Sequence, residues 1–296
     1  MISRHYHNYL LLERSFSPQT IESYERDLKQ LDEFLQSRGV ELTGATTDDL
    51  REFIYHLHKQ NKTARTQARI VSGVKCYYRY LVYSGDIQED PTELLEMPKI
   101  GIHLPDVLTL NEINRIVSVI DLSKSEGQRN KAIIETLYGS GLRVSELVEL
   151  KISNIYWDEG YMLVEGKGSK QRLVPLSDES KRQIELWKID RNTLNVKRGE
   201  EDILFLNRRG HRLTRAMIFT IVKELALRAG IKKSISPHTF RHSFATHLLH
   251  NGANLLAIQK MLGHENLTTT EIYTHIDAMY LREEIMKYHP KNNSKL

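Results

Sequence analysis

Residues 97–105 read Met97-Pro98-Lys99-Ile100-Gly101-Ile102-His103-Leu104-Pro105. Two prolines and a glycine in so short a stretch break any helical period that enters it and mark an extended linker. The 296-residue chain therefore reads as an N-terminal domain over 1–97, a linker over 98–107 and a second domain over 108–296. Each flank is long enough to bury a core of its own.

Upstream of the linker, Ser17-Pro18 supplies a cap residue and then a proline at the first helical position, where its missing N–H is no loss. Ile21, Tyr24, Leu28, Leu31 and Leu35 follow at helical spacing, and Gly39 closes the helix. Leu50, Phe53, Ile54 and Leu57 mark a second helix. Ile70, Val74, Tyr77 and Leu81 mark a third that stops near Gly85, and a short leading helix covers 6–13. With no alternating stretch, this domain is predicted to be all helical. Residues 61–85 carry Lys62, Arg65, Arg69, Lys75 and Arg79 and no acid. Lys62, Arg65 and Arg69 on one face fit either a solvated surface or a row of phosphate contacts.

Downstream, the capping box Thr109-x-x-Glu112 opens the second domain, followed by Ile113, Ile116, Val117 and Ile120. Helices are predicted after Thr214, after Ser236-Pro237, after Asn251-Gly252 and over 278–287. One island is strand-like: 161–165 and 171–175 flank Gly166-Lys167-Gly168-Ser169, a hairpin tip. Residues 203–206 are expected to add a strand.

Composition removes several classes. Hydrophobic residues are 40% and charged residues 27%, which suits a soluble globular chain. No apolar run approaches the ~18 residues of a membrane span. Asn8-Tyr9-Leu10-Leu11-Leu12 runs into Glu13, too short for a signal peptide. The single cysteine, Cys76, excludes an internal disulfide framework and suits a reducing cytoplasm. The net charge of +4 is uneven, −2 over residues 1–100 and +6 over the rest, a mild pointer to a polyanionic partner.

The candidate chemistry lies in the second domain. Arg143 falls in Tyr138-Gly139-Ser140-Gly141-Leu142-Arg143-Val144-Ser145-Glu146-Leu147, where two glycines are expected to end one helix before the next begins. Its plain reading is an i,i+3 ion pair with Glu146. A helix N-terminus disfavours a cation, so its other reading is a phosphate shared with the exposed N–H groups. Lys167 stands between glycines, which permit close backbone approach to a ligand. His238 and Arg241 share one face of a helix's first turn, beside free N–H groups. His238, His242, His247 and His250 also admit a metal reading, but no acid lies among them to complete a ligand set. His264 follows a helix end at Leu262-Gly263. Tyr273 becomes a nucleophile only if positive charge or a positioned base offsets a pKa near 10.

Two arginines, a lysine, two histidines and a tyrosine, with no Walker loop and no Ser/His/Asp arrangement, suit metal-free phosphoryl transfer. Guanidiniums clamp the non-bridging oxygens while a histidine and a lysine move protons.

In this order the boxes resemble those of tyrosine recombinases, the phage integrase family, and within it the bacterial Xer type. Gly141–Leu147 looks like the first arginine box, 166–172 like the hairpin lysine segment, and 236–247 like the second box. Leu262-Gly263-His264 and Ile272-Tyr273-Thr274-His275 complete the pattern. The stretch from Tyr9 to Leu28 is similar to the family's core-DNA-binding domain. The resemblance implies a mainly α fold with a small β-sheet in the catalytic domain, and a two-domain clamp formed by a helical SAM-like domain and the catalytic domain. It implies that Tyr273 attacks a DNA phosphodiester to form a 3′-phosphotyrosyl link. Arg143 and Arg241 then hold the phosphate, Lys167 protonates the leaving 5′ oxygen, His238 serves the tyrosine side and His264 bonds the phosphate. Glu146 supports the site without being catalytic.

The resemblance further implies no cofactor, no metal, no ATP and no membrane. Its partners are double-stranded DNA and a homo- or hetero-tetrameric synapse with a related recombinase, in which the segment after Tyr273 packs on a neighbour. Met279, Leu281, Ile285 and Met286 fit that role, and equally a helix packed on its own domain. No extra N-terminal arm-binding domain of the kind phage integrases often carry is expected, which favours a stand-alone enzyme on a short site. The implied task is chromosome or plasmid dimer resolution at a dif-like site, in the cytoplasm. A mobile-element integrase or invertase, a type IB topoisomerase, a DNA-binding regulator without catalysis and a DNA translocase partner stay open at this level.

Overall fold

The computed structural model describes residues 4–98, 101, 106–166, 170–263 and 275–292, with the backbone alone at 275–278. The chain divides into two compact units, Met1–His103 and Leu104–Leu296. Residues 99–100 and 102–105 of the expected linker lie outside the described residues.

The first unit is helical among its described residues: α1 (Arg4–Asn8), continued by a π-helical turn over Tyr9–Glu13, then α2 (Pro18–Gln36), α3 (Thr47–Lys59) and α4 (Ala64–Ser84). Each later helix starts where the sequence offers a cap. The Ser17, Thr46 and Thr63 side chains accept from backbone N–H groups of the first turn. Gly85 ends α4 in the left-handed region. The core is aromatic and aliphatic, with Tyr6, Leu28, Leu31, Phe53, Leu57 and Tyr78 all at 1% exposure or less. Tyr6 and Tyr77 meet edge to face at 5.1 Å.

The second unit contains α5 (Leu110–Ser118), α6 (Gly127–Ser140), α7 (Val144–Val148), α8 (Asp178–Arg191), α9 (Arg215–Arg228), α10 (Pro237–His250), α11 (Leu255–Leu262) and α12 (His275–Tyr288). Between α7 and α8 lies an antiparallel meander of β1 (Ile155–Tyr156), β2 (Tyr161–Glu165) and β3 (Gln171–Pro175). Its register pairs Met162 with Val174 and Val164 with Arg172. The hairpin is extended by Gly166 N–H donating to Lys170 O at 2.7 Å. α6 forms the centre: Ala132, Ile133, Ile134, Leu137 and Tyr138 have no exposed surface. It packs on α8 and α10, while α11 and α12 lie against β3.

Two expectations change. Residues 203–206 form no strand, only isolated bridges at Ile203 and Leu206. Their carbonyls are taken by side chains instead: Arg191 Nε donates to Ile203 O, Trp187 Nε1 to Leu204 O and Arg129 Nη1 to Leu206 O. Gly139 lies inside α6 rather than at its end, because a β-carbon there would sit 2.3 Å from Ser180 Oγ on α8. The helix ends at Gly141. Of the two placements open to the last helix, α12 takes the one on its own unit, with Leu281 and Ile285 fully buried in that core and Met279 63% exposed.

Candidate active site

Two backbone turns bring the arginine boxes together. Gly141 caps α6 at φ +59°, and a β-carbon there would press 2.5 Å from Phe244 Cδ1 of α10. Gly263 caps α11 at φ +62°, and its β-carbon would meet Arg172 Cδ at 3.0 Å. Both positions need glycine for conformation and for space.

Between these turns lies a cluster of three arginines and one carboxylate. Glu146 is completely buried. It accepts from Arg172 Nη1 at 2.6 Å and Nη2 at 2.9 Å, and from Arg143 N and Nη1 at 2.8 Å each. Arg143 is the N-cap residue of α7, and the Glu146 carboxylate three residues on accepts from its backbone N–H and its guanidinium alike. The ion pair of Arg143 with Glu146 and the clustering of the arginines are thus one arrangement.

The last carbonyls of α11 gather the same three guanidiniums in order. Met261 O accepts from Arg172 Nε at 2.8 Å, Leu262 O from Arg241 Nη2, and Gly263 O from Arg143 Nη2 at 2.9 Å. A helix C-terminus offers unpaired carbonyls and the negative end of its dipole. Arg241 also donates to Gly141 O at 2.7 Å.

The charges do not balance. Burial alone raises Glu146, but the bonds and charge of Arg172, and then those of Arg143, bring its carboxyl below the usual range. Arg241 is pushed down to about 9 by burial, with Arg143 and Arg172 adding to the fall and Glu146 opposing it. Burial first, and then the two like charges beside it, disfavour the Arg241 cation, and an anion bound at the cluster would offset the like-charge repulsion.

The other expected residues stand as follows. His238 is exposed on the first turn of α10, one turn before Arg241. Lys167, His264 and Tyr273 lie outside the described residues. The residues flanking two of them belong to the cluster. A β-carbon on Gly166 would stand 3.6 Å from Arg172 Nη1 and 3.8 Å from Glu146 Oε1, and Gly263, before His264, bonds Arg143. Among the described residues no three His, Cys, Asp or Glu side chains converge as metal ligands. His247 is instead bonded to Tyr138 Oη at 2.8 Å. In the first unit Lys62 precedes the cap of α4, so the expected helical face holds only Arg65 and Arg69. Arg69 is tied to Ser23 and to buried Asp27.

Sequence reasoning missed Arg172. Its signal was parity: it alternates with Leu173 and shares a face with Val174, and both Arg172 and Val174 are buried. An arginine on the inward face of a strand requires a buried acid.

A helical first unit and a second unit that gathers Arg143, Arg172 and Arg241 fit an enzyme acting on a phosphate-containing polymer, and likeness to known proteins gives the class: enzymes that cut and rejoin DNA strands. Residues 106–279 match the phage integrase family and residues 4–85 match its N-terminal SAM-like domain. The chain is 40% identical to the tyrosine recombinase XerD of Oceanobacillus iheyensis, over 96% of both chains. It is 35% identical to the tyrosine recombinase XerD of Staphylococcus haemolyticus, over 98% of this chain and 99% of that one. Among solved structures it is similar to the XerH site-specific recombinase bound to palindromic difH substrate in a post-cleavage complex. That match has a TM-score of 0.70 and 25% identity, over 92% of this chain and 81% of that one. The chain belongs to the phage integrase family and is a site-specific tyrosine recombinase of the Xer type.

Proposed function

We propose that the chain acts on duplex DNA at a short dif-like site, in a synapse of four protomers, and resolves chromosome or plasmid dimers in the cytoplasm. The Tyr273 hydroxyl attacks the scissile phosphorus and gives its proton to His238. The bond to the 5′ oxygen breaks, and Lys167 protonates that oxygen as it leaves. The 3′-phosphotyrosyl link then accepts the 5′-hydroxyl of the partner strand and frees the tyrosine. A phosphodiester replaces a phosphodiester, so no nucleotide hydrolysis drives the exchange. Arg143, Arg241 and His264 hold the phosphate, and Lys62, Arg65 and Arg69 meet the DNA backbone from the first unit. No helix among the described residues is long and apolar enough to cross a membrane.

The observation that carries this reading is the charge of the cluster. Among the described residues, three guanidiniums against one carboxylate leave two positive charges in excess. That excess suits a dianionic pentacoordinate phosphorus better than the monoanionic diester, and such a difference is what lowers a barrier.

The test is to crosslink the protein to DNA in its own cell, sequence the recovered site, and place two copies on one supercoiled plasmid. Excision or inversion between the copies that is lost in Tyr273→Phe is the expected result. Relaxation of plasmids lacking the site, with no exchange, would replace this reading with a topoisomerase.

A further inference from the structure

The phosphate-holding roles of Arg143 and Arg241 leave Arg172 unexplained, although all three of its bonds lie within the cluster. Its side chain is 5% exposed, so it does not reach a DNA strand. It joins three segments. It stands on β3 opposite Val164, its fork spans both oxygens of Glu146, and its Nε holds Met261 O at the end of α11.

We propose that Arg172 is a positioning residue for strand cleavage. It fixes Glu146 and the last turn of α11 in the places from which Arg143 and Arg241 meet the scissile phosphate. The inference rests on the recombinase reading above.

Two pieces of geometry support it. A carboxylate and a guanidinium pair most strongly fork to fork. Here Arg172 holds that arrangement with Glu146, and the Arg143 guanidinium receives only one contact, from Nη1 to Oε1. Nη2 also donates to Gly263 O, and the N–H groups beyond these two bonds, on a side chain that is 31% exposed, can meet an outside anion. Without Arg172 the carboxylate turns to Arg143 and occupies the donors a phosphate needs. At the other end, Met261 O is followed directly by the two carbonyls that orient Arg241 and Arg143. Pinning the first of three successive carbonyls sets the other two. Gly263 lies against the Arg172 chain, where a β-carbon would stand 3.0 Å from Cδ and 3.2 Å from Nε.

The experiment measures single-turnover formation of the covalent adduct on a nicked duplex carrying the recovered site, at saturating DNA. Full-length wild type, Arg172→Met and Arg172→Lys are compared. Each is assayed on the normal phosphodiester and on a duplex with a neutral methylphosphonate at the scissile position. A displaced charge clamp slows cleavage of the diester by about 100-fold in Arg172→Met, with DNA affinity changed by less than about threefold. The defect shrinks to less than about tenfold on the methylphosphonate, which needs less charge neutralisation. Arg172→Lys keeps the charge but not the fork, and loses about tenfold on the diester. It decides the matter if Arg172→Met does not fold. An equal loss on both substrates, or diester cleavage at the wild-type rate, overturns the proposal. Failure of the wild type itself to form an adduct refutes the recombinase reading instead.

Discussion

Replacing Glu146 by glutamine removes the one carboxylate that, among the described residues, bonds the clustered guanidiniums, while nearly preserving shape. The wild-type carboxylate accepts four bonds of 2.6–2.9 Å, all from Arg143 and Arg172. An amide keeps one acceptor oxygen and turns an NH2 toward donors, so about half of these contacts become repulsive. Removing one partner of a buried ionic network costs roughly 3–5 kcal/mol. Arg143 is partly exposed and Arg172 is not, so the lower end, about 3 kcal/mol, is expected. At roughly 2–4 °C per kcal/mol for a unit of this size, Tm falls by about 10 °C. The pH dependence adds a sign. Glu146 titrates below the usual carboxylate value in the folded chain. Its contribution is therefore complete above the unfolded value, near ~4.3, and is lost as pH falls through the lower folded one. Thermal melts of Glu146→Gln and wild type from neutral to acid pH should show a gap that is constant and then closes on the acid side. Sulfate should stabilise the variant more than the wild type, since it replaces the missing negative charge. Equal melting temperatures at neutral pH, or a gap that widens in acid, would refute the reasoning.

Gly263→Ala and Gly230→Ala form a matched pair. Both residues are left-handed, at φ +62° and +66°, but a β-carbon meets Arg172 at the first and nothing within 4 Å at the second. Each should lose about 1 kcal/mol of stability from the backbone, measured by urea denaturation, while only Gly263→Ala loses strand cleavage as well. His289 is fully buried, with its ring 4.7 Å from Tyr138 and 5.8 Å from Phe244. Burial, with Lys291 and His247 adding, lowers it to about 3. The unfolded chain takes up a proton below about pH 6.5 and the folded chain does not, so stability falls in acid by up to about 1.4 kcal/mol per pH unit. His289→Leu should flatten that slope in melts taken between neutrality and mild acid. In the first unit Arg65 is exposed while Arg69 is paired with Asp27. Arg65→Ala should weaken DNA binding and lower the slope of log affinity against log salt by about one, as read by fluorescence anisotropy. An unchanged slope removes Arg65 from the interface.

Legibility in the sequence followed local physics. Helices with a cap and one apolar face, such as α2 with Ser17-Pro18 and its leucines, were readable before any coordinates. So were the hairpin flanking Gly166 and the stop at Gly85. The central helix α6 was readable only at its C-terminal end, because Arg129, Glu135 and Thr136 are buried among its apolar residues and blur the helical stripe. The helix α8 carries buried Ser180 and Gln183, which disguise its inner face. Residues 203–206 looked like a strand because they are apolar and buried, but long-range side-chain donors took the carbonyls a neighbouring strand would have used. At the site, Arg143 and Arg241 announced themselves through glycines and helix starts. Arg172 did not, since its partners Glu146 and Met261 are distant in sequence and only the fold brings them near.

The most direct test of the whole reading is the chemical identity of the trapped intermediate. Wild-type protein is incubated with the nicked duplex in a chelator, digested with protease and nuclease, and analysed by mass spectrometry. A nucleotide 3′-phosphate on the phenolic oxygen of Tyr273 is the predicted result. The label on any other residue, or an adduct that forms only when a divalent ion is restored, would contradict it.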